Sequence, residues 1–157
     1  NQYPEPFQCF GGRYLDKKYE TFLVNIVSIF EDKNLHDPEN LLFNPCRILL
    51  ESVFRKITET DEKVLPYLLL NFENQRVGLI NCSKHLNGVP VTINGQIIPC
   101  RKFLDEYISQ QIQTIIGVCH PASHDIQLRY SKYTFQSVLW AVFDVLIWLK
   151  TFIDQRQ

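Results

Sequence analysis

Apolar residues recur at steps of three and four along most of this chain, and only one short stretch alternates. From Leu15 onward they fall at Tyr19, Phe22, Leu23, Ile26, Val27 and Phe30, which predicts a first helix with one apolar face. The polar stretch EDKNLHDPEN then reads as a connection. A second helix is expected to start at Asn44, with Asn44 as its cap and Pro45 at its first position. Phe43 and Ile48 occupy hydrophobic-staple positions, and Cys46, Leu49, Leu50, Val53, Phe54 and Ile57 form the core stripe. Val64 to Leu70 suggests a short helix bent at Pro66. A third helix is predicted over Gln75–His85, stopping before Asn87-Gly88. Val91, Ile93 and Ile97 alternate around Asn94-Gly95, the signature of a small β-hairpin. So short a hairpin is marginal alone and must lean on the helices. A fourth helix is expected over Arg101–Val118, with Leu104, Tyr107 or Ile108, Ile112, Ile115 and Ile116 inward and Pro121 marking its end. The fifth begins near Tyr133 or Thr134 and reaches Asp154.

The resulting fold class is mainly α, a helical bundle with a small β-hairpin insertion. Residues 1–13, with Pro4, Pro6, Gly11 and Gly12, read as an N-terminal arm or linker remnant, and residues 14–157 as the helical domain. The fifth helix is apolar on almost every side, from Val138 to Leu149, around the single charge of Asp144. Two-layer packing does not cover such a helix. It is therefore expected to be central, or to contact a second chain or another domain through Val138, Trp140, Phe143, Ile147 and Trp148. The apolar run itself is too short to span a bilayer, so no membrane partner is expected.

Composition narrows the reading further. The net charge is −1, which supplies no general basic field for sequence-independent duplex binding and leaves room only for a local basic patch. Eleven Phe, seven Tyr and two Trp predict a bulky aromatic core or a sizeable partner surface. Five widely spaced cysteines without a CxxC pair read as reduced thiols of a cytoplasmic protein. The absence of methionine suggests an excised domain or a trimmed product, and no signal peptide is visible in the polar first residues.

His120 and His124 are the main candidates for chemistry. At helical spacing, residues four apart share one side, and two imidazoles can serve as proton acceptor and donor in phosphodiester cleavage. That reaction also needs a cation to stabilise the phosphate charge. Gly117, Val118 and Cys119 stand in the segment before the histidines, so Arg47, Arg55, Arg129 or Lys132 must be brought in by the fold. Arg47, Glu51 and Arg55, at steps of four, form either a surface ion-pair ladder or a polar ridge facing a cleft or an RNA. Asp125 can orient His124 or cap the following turn. A purely structural reading has His124 buttressing a helix junction. Cys119, His120, His124 and Asp125 are chemically suitable metal ligands, but their spacing matches no metal motif, and no metal or cofactor is expected. The basic doublets Lys17-Lys18 and Arg55-Lys56 read as solvated positions.

RILLESVFRKI at residues 47–57, CHPASHD at 119–125 and the apolar last helix together resemble the HEPN superfamily, nearest a branch of bacterial defence-associated domains. Arg47, Leu50 and Glu51 are similar to its early-helix pattern, and Ala122, Ser123 and His124 to the end of its later one. The resemblance covers residues 41–153, with the hairpin as a local elaboration. It implies a bundle that pairs as a homodimer and contacts RNA. Active members resemble metal-independent ribonucleases that use an arginine and a histidine four to six residues apart. Here Gly117 or a neighbour stands in the arginine position, so the resemblance points to a non-catalytic interaction, dimerisation or RNA-sensing domain of a bacterial defence or toxin system. The alternative it implies is a metal-independent endoribonuclease using His124 and His120.

Overall fold

A computed structural model describes residues 2–31, 38–61, 78–119 and 132–156. It is a mainly α-helical bundle with one two-stranded antiparallel hairpin. The elements are α1 (Pro4–Phe7), a 3₁₀ turn (Lys17–Tyr19), α2 (Glu20–Glu31), α3 (Pro38–Thr60), α4 (Leu79–Leu86), β1 (Val91–Ile93), β2 (Gln96–Ile98), α5 (Glu106–Cys119) and α6 (Lys132–Asp154). The segment expected to hold a helix at Val64–Leu70 lies outside the described residues.

α6 is the hub. It packs most extensively on α5 and also meets α1, α2 and α3. Val138, Ala141, Val142, Val145, Leu146 and Leu149 are all buried along it. α3 is the second axis, packed on α2, α4, α5 and α6. Its stripe Cys46, Leu49, Leu50, Val53, Phe54 and Ile57 is buried as the periodicity predicts. Leu42 extends the stripe upstream and is buried as well. α3 therefore starts earlier than predicted, and Pro45 sits inside it. Pro38 takes the first helical position, where the missing N–H costs nothing. Asn44 is released from capping, and its Oδ1 instead accepts from Arg47 Nη2 at 2.9 Å.

Other boundaries move for equally local reasons. The first helix starts at Glu20, after the 3₁₀ turn, where the Asp16 carboxylate accepts from the Lys18 N–H at 3.0 Å. α4 starts at Leu79 behind Gly78 and ends as predicted at Asn87-Gly88. Gly88 adopts φ +92°, and its N–H donates to the His85 carbonyl at 3.0 Å. Residues 101–105 are not helical. Lys102 bridges Asn87, and the Phe103 N–H donates to the Leu86 carbonyl at 2.8 Å. α5 begins only where the Asp105 carboxylate caps the Ile108 N–H at 2.8 Å. Ile108 faces inward and Tyr107 outward, which settles that alternative.

The hairpin turns at Asn94 (φ 50°) and Gly95 (φ 79°), two consecutive left-handed residues as a type I′ turn requires. Its register pairs Val91 with Ile98, Thr92 with Ile97 and Ile93 with Gln96. The two-residue turn puts Ile97 on the face opposite Val91. Val91 is buried, whereas Ile97 is 73% exposed, so the two faces of the hairpin differ in burial.

The first residues belong to the same core: Pro6, Cys9, Phe10 and Leu15 are buried. The arm is tied to the far end of the chain. Asp154 accepts from the Tyr14 hydroxyl at 2.5 Å, from Lys150 at 3.1 Å and from Arg13. The Lys150 ammonium also lies 5.0 Å from the centre of the Tyr14 ring.

Candidate functional site

Two faces of α3 carry the described candidate residues. Midway along it, Arg47 Nη1 donates to the Glu51 carboxylate at 3.2 Å, a half-buried pair one helical turn apart. This pair lies against the C-terminal end of α5. Burial pushes the Cys119 thiol up to about 12, and smaller contributions come from a backbone hydrogen bond and from the charges of Arg47 and Glu51. Cys46, fully buried beside Cys119, is raised well above its ordinary value by desolvation. The fold thus carries Arg47 and Glu51 to the residue that precedes His120 in sequence. His120, His124, Asp125 and Arg129 lie outside the described residues, and so does the side chain of Lys132, the first residue of α6. Gly117 stands in the last turn of α5 with open space around it: a Cβ built there meets nothing within 4 Å.

Arg55 lies two turns further along α3, about 12 Å by helix rise, and serves a different place. With Lys56 and Glu59 it lines one wall of a cleft, and the segment from Gly12 to Tyr19, with Asp16 and Lys18, lines the other. The cleft holds about 360 Å³. Arg47 and Arg55 thus stand at two places along α3, the first paired with Glu51 and the second on the cleft.

The residues expected at an interface divide in two. Val138 and Phe143 belong to the chain's own core, and Trp148 is half-buried against Phe152, with ring centres 5.2 Å apart. They are satisfied within the chain because α6 is enclosed by four other helices. Trp140 and Ile147 face outward, 50% and 42% exposed, with Tyr133 and Tyr107 also exposed. Between Trp140 and Ile147, Asp144 Oδ2 accepts from the Tyr107 hydroxyl and from Gln111 Nε2, both at 2.7 Å. The carboxylate beside it raises the Tyr107 pKa. Among the described residues α6 is also the one helix long and apolar enough to cross a membrane, and 56% of that window is buried inside the bundle. The apolar run Val138–Leu149, interrupted by Asp144, is only the middle of this helix, which is why its length alone reads as too short to span a bilayer.

Comparison with family models, curated proteins and solved structures finds no match to this chain. Among the described residues no group of three or more His, Cys, Asp or Glu side chains is placed to hold a metal ion. All five cysteines are free.

Sequence reasoning missed two features. Asp144 read as an interruption of an apolar run, yet it organises the polar centre of the exposed α5–α6 face. Its spacing of four and three from Trp140 and Ile147 was the available signal. Lys18 and Lys56 read as solvated charges, and Arg55 as either that or an RNA or phosphate contact; the two basic doublets were visible, but nothing local showed that they line one cleft.

Proposed function

We propose that this chain is a non-catalytic helical module that pairs with a second copy of itself, or with a neighbouring domain of its parent protein, through the outward face of α6. The observation that supports it most is the row Tyr133, Trp140 and Ile147, exposed at seven-residue intervals on a helix whose other faces are buried. That interval is the seam spacing of paired helices. Tyr107 on α5 widens the face, and large exposed aromatic residues are what interface centres use. On the resemblance to HEPN domains, the module serves dimerisation or RNA sensing in a bacterial defence or toxin system, with Arg47 and Arg55 as described RNA-contact candidates. The alternative is a metal-independent ribonuclease using His124 and His120. What favours it is the packing of α3, which carries Arg47, on α5, whose last residue Cys119 precedes His120.

Two measurements on the same protein separate these readings. Sedimentation velocity is expected to show a concentration-dependent dimer, and Trp140→Ser with Ile147→Ser a monomer of unchanged helicity. A wild-type protein that stays monomeric at every concentration overturns self-pairing. Incubation with a mixed pool of structured RNAs in EDTA is expected to leave the RNA intact. Cleavage that is lost in His124→Ala overturns the non-catalytic reading.

A further inference from the structure

We propose that the cleft between residues 12–19 and α3 binds a small phosphorylated polyol, such as a sugar phosphate. The inference is independent of the α6 face and of the histidine segment. Lys18 approaches from one wall, and Arg55 and Lys56 from the other. Among the described lining residues three cations stand against the two carboxylates of Asp16 and Glu59, and a concave site concentrates the field of such a group on an anion. A guanidinium and ammonium groups are the donors that hold a phosphate. The carboxylates refine the assignment. They accept hydrogen bonds and repel a phosphate, so a matching ligand carries hydroxyl donors beside its anionic group. A volume of about 360 Å³ suits a small molecule.

The aromatic residues of the cleft argue against a nucleobase. Arg13 and Lys150 lie 5.2 and 5.0 Å from the Tyr14 ring centre, and Lys18 lies 5.1 Å from that of Tyr19, which leans on Phe22. These rings are already engaged and offer poor stacking platforms. The same contacts make the site preformed. Asp154 holds Tyr14 and Arg13, and Asp16 caps the turn that carries Lys18, so the wall is fixed before a ligand arrives.

Isothermal titration of the whole chain with glucose 6-phosphate tests this, with glucose, inorganic phosphate and AMP as comparison probes. Glucose 6-phosphate is expected to bind with Kd below about 1 mM, and glucose not at all. Arg55→Gln and Lys18→Gln are each expected to weaken binding about tenfold. Glu59→Gln is expected to weaken glucose 6-phosphate but not inorganic phosphate. Thermal melts of each variant establish folding, and Lys18 is an exposed residue of the 3₁₀ turn whose replacement leaves the core intact. Absence of binding overturns the proposal. So does full affinity in both Arg55→Gln and Lys18→Gln, or AMP or inorganic phosphate binding as tightly as glucose 6-phosphate.

Discussion

Leu146 and Ile147 are neighbours on α6, and the structure gives them opposite fates. Leu146 is 1% exposed and lines a void of about 10 Å³ at the junction of α3, α5 and α6, with Cys46, Leu50, Ile115 and Val142. Ile147 is 42% exposed. Truncating a buried leucine to alanine costs about 2.7–5.0 kcal/mol, more where the surroundings collapse least. Three helices meet at Leu146 and a void is already present, so Leu146→Ala is expected to cost about 4 kcal/mol. Ile147→Ala removes side chain that water already reaches and is expected to cost about 1 kcal/mol. The gap of about 3 kcal/mol is a large fraction of a typical domain's stability. Urea unfolding followed by far-UV circular dichroism measures it. With a slope of about 2 kcal/mol/M, the midpoint falls by about 2 M for Leu146→Ala and about 0.5 M for Ile147→Ala. The titration is run at dilution, so that any pairing through Ile147 does not add to the second value. Equal losses, or a larger loss at Ile147, would refute the orientation assigned to α6 and with it the exposed face.

Two further outcomes are expected. Asp154 has a carboxyl lowered to about 2, first by the Tyr14 hydroxyl and also by Lys150 and Arg13. A carboxyl depressed in the folded state contributes stability above its unfolded value near 3.8, and that contribution is lost as pH falls toward 2. Asp154→Asn should therefore flatten the acid limb of the stability profile across this interval and speed hydrogen exchange at the Leu15 amide; an unchanged acid limb would count against the latch. Thiol titration of the native protein with a disulfide reagent near neutral pH is expected to label Cys100 first. It is the one cysteine not buried; burial raises all five thiols, Cys9, Cys82 and Cys119 to about 12 and Cys46 well above its usual value. Rapid labelling of all five would contradict this packing.

The fold was largely legible because burial follows period. The stripes of α3, α5 and α6 are buried where steps of three and four place them, and Asn94-Gly95 turns as its backbone preference dictates. Boundaries were less legible because they depend on competing partners. Pro45 reads locally as a helix start, and only the burial of Leu42 shows that α3 continues upstream. Arg101–Leu104 reads as helix, but Phe103 gives its N–H to Leu86 instead. The cleft was illegible because Lys18 and Arg55 are far apart in sequence and meet only through the fold. Local spacing also treats α6 as uniformly sticky, whereas enclosure by other helices uses up Val138 and Phe143 and leaves Trp140 and Ile147 outside.

The Asp154 latch also has a kinetic consequence. It joins Arg13 and Tyr14 to a partner 141 and 140 residues away, so forming it closes a loop of nearly the whole chain. Loop-closure entropy rises with the logarithm of length, and contacts of such separation are rewarded only after the intervening helices have docked. The latch should thus be absent from the folding transition state and present only in the native state. Contacts of that kind govern how slowly a protein comes apart rather than how fast it forms. In a chevron plot, Asp154→Asn should raise the unfolding arm and leave the refolding arm in place, so that the first and last segments together set the lifetime of the folded bundle.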